Sequence, residues 1–120
     1  MTRILIIEDD QEIRELIQRL LERAGYDTIM AEDGVEGMEA FRSGSPDIVI
    51  TDLLMPRMEG IETIKEIRTI NATIKILAMS GGGPGAPAIQ LKKARGAGAT
   101  ETLAKPFKPD ELINAVSRLV

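Results

Sequence analysis

The chain has 120 residues, 43% hydrophobic, 28% charged and 2% aromatic, and its 15 Lys and Arg against 19 Asp and Glu give a formal charge of −4. That length fits one domain, residues 1–120, able to bury about two-thirds of its unfolded surface. With no Cys and no His, disulfides, thiolate or imidazole metal sites, cysteine nucleophiles, Ser-His-Asp triads and phosphohistidine carriers are all excluded.

An acidic balance argues against nucleic acid as a partner. The longest apolar runs, about five residues, fall far short of the roughly 20 that span a membrane. Met1-Thr2-Arg3 leads into an apolar stretch that Glu8 cuts off, which is not a signal-peptide pattern. The composition predicts a soluble, cytoplasmic domain whose chemistry runs on carboxylates, hydroxyls, lysines and backbone.

Taken in order, Ile4-Leu5-Ile6-Ile7 is a continuous aliphatic run of the kind found in strands buried on both faces. Ile13, Leu16, Ile17, Leu20 and Leu21 follow at helical spacing, with Asp10 placed to cap the helix and Gly25 to stop it. Thr28 to Ala31 reads as a second strand, and Val35, Met38 and Phe41 mark a short helix after Gly34. Ile48-Val49-Ile50 is a third strand, with Ile61, Ile64 and Ile67 as the next helical stripe. Ile74 to Met79 is a fourth strand, interrupted by Lys75, and Ala99 to Leu103 a weak fifth. The segment from Gly81 to Gly98 holds six of the eleven glycines and only a thin stripe of Ala88, Leu91 and Ala94, which predicts a mobile loop and a short, poorly anchored fourth helix. Leu112, Ile113, Val116 and Leu119 make the last helix, with Pro109 in its first turn. Five β-α alternations predict an α/β fold with a doubly wound parallel sheet in the order 2-1-3-4-5.

In such sheets ligands bind beyond the C-terminal strand ends, where the strand order reverses, here between strands one and three. Strand one runs into Glu8-Asp9-Asp10 and strand three into Asp52, so the topology brings several carboxylates into one crevice. Clustered carboxylates repel unless a cation or a shared proton compensates. Oxygen ligands alone suit a hard divalent cation, Mg²⁺ before Ca²⁺. Ser80 ends strand four and Lys105 ends strand five at the same rim. A hydroxyl, an ammonium and clustered acids together suit phosphoryl transfer to a carboxylate.

Three blocks carry a family resemblance across the whole chain: Ile4 to Asp10, Pro46 to Pro56 and Lys105-Pro106-Phe107. In that order, one per strand end, they resemble the receiver domain of bacterial two-component response regulators. The resemblance implies a flavodoxin-like (βα)5 single domain. It implies that Asp52 is the phosphoacceptor, that Glu8, Asp9, Asp52 and the backbone carbonyl of Leu54 hold Mg²⁺, and that Ser80 and Lys105 contact the phosphoryl group. Asp10 falls one place beyond the acidic pair. The Lys105-Pro106 bond is cis in many receivers. Implied partners are a sensor histidine kinase or histidine phosphotransfer protein and a downstream protein target. They meet a monomer or weak dimer that changes the face formed by its fourth helix, fifth strand and last helix and catalyses only its own phosphorylation and dephosphorylation.

Three departures from the family pattern matter, the last of them shared by two positions. Thr102 stands where an aromatic residue is usual, Arg57 where Gly is usual, and Leu54 and Gly82 offer no polar side chain to orient a hydrolytic water, which predicts slow loss of the phosphoryl group. Lys92, Lys93 and Arg95 form a basic cluster on the fourth helix, read first as a solvated face and second as a docking site for an acidic partner. The chain ends at Val120 after the last helix, as in a stand-alone receiver or one excised from a longer regulator. Two enzymatic alternatives are a Mg²⁺-dependent phosphohydrolase with Asp52 as turnover nucleophile and a Ser-Lys hydrolase using Ser80 and Lys105. The first lacks an Asp two places after Asp52; the second leaves the acids unused.

Overall fold

The computed structural model describes residues 2–53, 59–81 and 86–120, with backbone alone for 86–88. Strands β1 (Arg3–Ile7), β2 (Asp27–Ala31), β3 (Ile48–Asp52), β4 (Lys75–Ser80) and β5 (Glu101–Ala104) alternate with helices α1 (Gln11–Arg23), α2 (Gly34–Gly44), α3 (Gly60–Ile70), α4 (Ala86–Ala97) and α5 (Pro109–Ser117). All strand pairs are parallel, in the order β2-β1-β3-β4-β5.

The alternation of side chains along the strands sorts the core into two layers. Leu5, Ile7, Val49, Ile76 and Ala78 pack under Met38 and Phe41 of α2, Ile64 and Ile67 of α3, and Ala94 of α4. Ile4, Ile6, Ile48, Ile50, Leu77 and Met79 pack on the opposite side under Ile17 and Leu21 of α1 and Leu112, Ala115 and Val116 of α5. Each fully buried Ile or Leu contributes about 1.5–3 kcal/mol relative to exposure. Continuous aliphatic strands are what a sheet covered on both faces requires.

The helix punctuation follows the sequence. Asp10 caps α1, its carboxylate accepting from the amides of Glu12 (2.9 Å) and Ile13 (3.2 Å). Gly25 lies just beyond the end of α1 at φ +98°, a conformation that favours glycine. Pro109 is the first residue of α5.

Several expectations are corrected. Lys75 is the exposed first residue of β4 and interrupts nothing. The fifth strand starts at Glu101 rather than Ala99; Thr100 lies just before it, its amide donating to the carbonyl of Ile76 in β4 at 2.8 Å. Leu16 and Val35 are 39% and 38% exposed, outside the core their spacing suggested. At 12 residues α4 is longer than the 11-residue α2 and α3, so it is not short. Its contact with the sheet is made by Ala94, fully buried, with Leu91 and Ala97 packed beside it; the alanines leave a faint sequence stripe yet let a helix lie close. Residues 82–85 of the preceding glycine run lie outside the described residues.

Close packing at the start of α3 fixes the end of β3. A Cβ at Gly60 would sit 2.2 Å from the Asp52 carbonyl oxygen, whereas one at Gly96 in α4 meets nothing within 4 Å. Gly60→Ala is expected to lower stability by about 1–3 kcal/mol through overpacking, and Gly96→Ala to raise it by about 0.4–1 kcal/mol by stiffening the unfolded chain. Urea unfolding of both variants checks this; equal effects of the same sign contradict it.

Candidate functional site

The rim is built by the register. Ile7 of β1 lies opposite Thr51 of β3, Asp52 opposite Met79, and Ser80 opposite Ala104 of β5. Backbone bonds extend one residue past the strands: Glu8 donates to the Ala31 carbonyl (3.1 Å), Leu53 to Met79 (3.0 Å) and Lys105 to Ser80 (2.7 Å). Continuing the alternation past each strand end puts Glu8, Asp52 and Lys105 on the α1/α5 side of the sheet.

There the charges meet. Glu8 is 0% and Asp52 5% exposed. The Lys105 ammonium pairs with Glu8 Oε1 and stands 3.4 Å from Asp52 Oδ2. The other oxygens have amide donors: Asp10 N–H to Glu8 Oε2 at 3.3 Å and Leu53 N–H to Asp52 Oδ1 at 2.9 Å. Asp9 is exposed, yet carboxylate oxygens of Glu8, Asp9 and Asp52 lie within 4.8 Å of one another. Gly81 flanks the lysine; a Cβ there would approach Lys105 Cβ at 3.2 Å. The Lys105-Pro106 bond is cis.

One ammonium for three carboxylates leaves the site net negative, and burial decides the proton affinities. Desolvation pushes the Glu8 carboxyl up to about 7, against the pull of Lys105 and with the push of Asp52. Asp52 is raised by the same burial, partly offset by Lys105, Glu8 and the Leu53 amide. For Lys105 burial works downward, but its bond to Glu8 and the charges of Asp52 and Glu8 prevail and hold it above the usual lysine value.

Of the residues singled out from sequence, Glu8, Asp9, Asp52 and Lys105 converge at this point. Ser80 reaches the same rim, fully buried, but its hydroxyl donates to Gln90 Oε1 of α4. Lys105, held by carboxylates and charged, is no base for Ser80, so the Ser-Lys hydrolase reading is corrected. Leu54, Arg57 and Gly82 lie outside the described residues. Thr102 is tied to α4 instead of offering a ring, accepting from Arg95 Nη2 at 3.3 Å. Two residues went unnoticed in the sequence. Arg14 donates to the Glu8 carbonyl at 2.8 Å, and its place one turn into α1 was the available signal. Gln90 had none, because no strong apolar stripe sets the rotation of α4.

The response regulator receiver domain model matches residues 4–117. The chain belongs to that family. It is thus a receiver domain of the CheY-like response regulators, the phospho-accepting switches of two-component systems. The chain is similar to chemotaxis protein CheY of Thermotoga maritima, 36% identical over 118 residues covering 98% of this chain and 96% of that protein. It is also 33% identical to response regulator MprA of a Mycobacterium species over 98% of this chain and 50% of MprA. Among solved structures, chemotaxis protein CheY4 of Vibrio cholerae superposes with a TM-score of 0.90 at 29% identity, over 100% of this chain and 99% of that one. This receiver therefore shares both sequence and backbone with its relatives along nearly its whole length.

The raised Glu8 fixes a pH dependence for the metal-free domain. Between its ordinary value of 4.5 and about 7 the folded state holds a proton that the unfolded state has lost, so stability is highest below the window and falls as pH rises through it. Asp52 acts in the same direction. Urea midpoints measured in a chelating buffer should fall from about pH 5 to about pH 8, and Glu8→Gln should flatten that slope. A midpoint that rises with pH over the window contradicts the assignment.

Proposed function

We propose that this receiver takes a phosphoryl group onto Asp52 from a histidine kinase or histidine phosphotransfer protein and uses it to switch a protein-binding face. The observation that carries the reading is the burial of Glu8 and Asp52 at the ends of two adjacent strands, bridged by Lys105. Burying like charges is costly, and a cation-assisted phosphoryl site gives that cost a purpose.

In this reading an Asp52 carboxylate oxygen forms the bond to phosphorus while the bond from phosphorus to the donor's leaving atom breaks, its electron pair departing with the donor. The product is an acyl phosphate carrying about −1.5 to −2 charges. Lys105, already beside the Asp52 carboxylate, neutralises the transferred oxygens. Donor chemistry supports Glu8, Asp9 and Asp52 as ligands for Mg²⁺, together with the Leu54 carbonyl: all are hard oxygen donors, and one lysine leaves them net negative. Bound there, Mg²⁺ would supply the charge neutralisation that lets an anionic donor approach an anionic acceptor.

A groove of about 310 Å³ lined by Ile13, Leu16, Gly81, Lys105, Pro106 and Phe107 opens beside the lysine. Its apolar wall suits a helical donor protein that presents a phosphorylated histidine. The output face in this reading is α4-β5-α5, with Arg95, tied to Thr102 of β5, on it. Residues 1–120 act as one receiver unit, a monomer or weak dimer in the cytoplasm. Among the described residues no helix is long and apolar enough to cross a membrane. Apart from its own phosphorylation and dephosphorylation, the domain turns nothing over.

Intact mass after incubation with acetyl phosphate tests this. A single phosphoryl adduct is expected with Mg²⁺, none with a chelator and none on Asp52→Asn. Steady phosphate release without a lasting adduct would favour the phosphohydrolase instead. Mg²⁺ should also raise the melting temperature above that in a monovalent salt of equal ionic strength, because ligand binding stabilises the folded state by mass action; no difference overturns the metal site.

A further inference from the structure

The serine at the rim does not face the acids. Along β4, Leu77 and Met79 belong to the α1/α5 layer, while Ile76 and Ala78 belong to the α2-α3-α4 layer. Ser80 continues the second set, and its buried hydroxyl donates to Gln90 Oε1 of α4. Glu8, Asp52 and Lys105 continue the first. A serine hydroxyl carries one proton and can donate one hydrogen bond at a time. An oxyanion attached to Asp52 and the amide oxygen of Gln90 therefore compete for the same donor.

We propose that Gln90 is a positioning residue that holds the Ser80 hydroxyl off the phosphoryl site at rest, and that it sets the affinity of Asp52 for a phosphoryl group through that bond. The inference rests on the proposed function and goes beyond it. Capture of Ser80 by the phosphoryl group breaks the tie between β4 and α4 at Gln90. The released side chain has room to move, since it lines a groove of about 270 Å³ with Leu53, Glu59, Ile61 and Lys93. Among the described residues a second polar tie of α4 to the sheet, Arg95 to Thr102, joins β5 rather than β4. A change at Ser80 is thereby delivered to α4 without an aromatic residue at position 102.

The test uses the full chain and beryllofluoride, a phosphoryl mimic formed from beryllium chloride and excess fluoride, in the presence of Mg²⁺. Dissociation constants are measured calorimetrically for wild type, Gln90→Met, Ser80→Ala and the double variant. Removing the competing acceptor should tighten binding by about 2- to 12-fold, the net worth of one hydrogen bond. In the Ser80→Ala background the same substitution should change binding by less than about 1.5-fold, since the coupling runs through the hydroxyl. Gln90→Leu serves if the Met variant does not fold. Unchanged or weaker binding by Gln90→Met, or an equal gain with Ser80→Ala, overturns the inference while leaving the phosphoryl site standing. A wild type that binds no beryllofluoride removes the site and this inference with it.

Discussion

The pairing of Lys105 with Glu8 and Asp52 is the constraint around which the rim is organised. Two carboxylates are carried below the surface at the ends of adjacent strands, where their mutual repulsion and lost hydration both disfavour charge. One ammonium and two backbone amides make the arrangement tolerable, while the proximity of Asp9 adds to the repulsion. They do not make it neutral. The site is left in need of positive charge, which is the electrostatic precondition for holding a divalent cation and then an anionic group.

The sheet delivers these groups by geometry alone. Parallel strands in the order found here end together, and the two-residue alternation decides which side each terminal residue takes. It places Glu8 in the interior and its neighbour Asp9 outside. It also sets Ser80 apart from the acids, toward α4. A single strand-end parity thus separates the group that would accept the phosphoryl from the group that would report its arrival. Gly60, pressed on the Asp52 carbonyl, and Gly81, beside the Lys105 stem, keep the backbone close enough for both.

Much of this was legible in the sequence. Continuous aliphatic runs identified the strands because a doubly covered sheet leaves no polar face, and strand-end acids identified the crevice because topology places strand ends together. Periodicity misjudged Leu16 and Val35, which lie on their helices but beyond the width of the buried stripe. It undervalued α4, whose anchoring uses Ala94 and Ala97. The unequal burial of Glu8 and Asp9 follows from alternation but needs the end of β1 to be known to the residue. Gln90 was invisible, since its role depends on how α4 is rotated over the sheet, and no strong stripe encodes that rotation.

The account depends most directly on the charge state of the buried acids. A carbon-detected NMR titration of the Glu8 carboxyl in the metal-free domain measures it. The account predicts a midpoint near 7 that moves down when Mg²⁺ is added, as a neighbouring cation favours the carboxylate. A midpoint at the ordinary value of 4.5, indifferent to Mg²⁺, would contradict it.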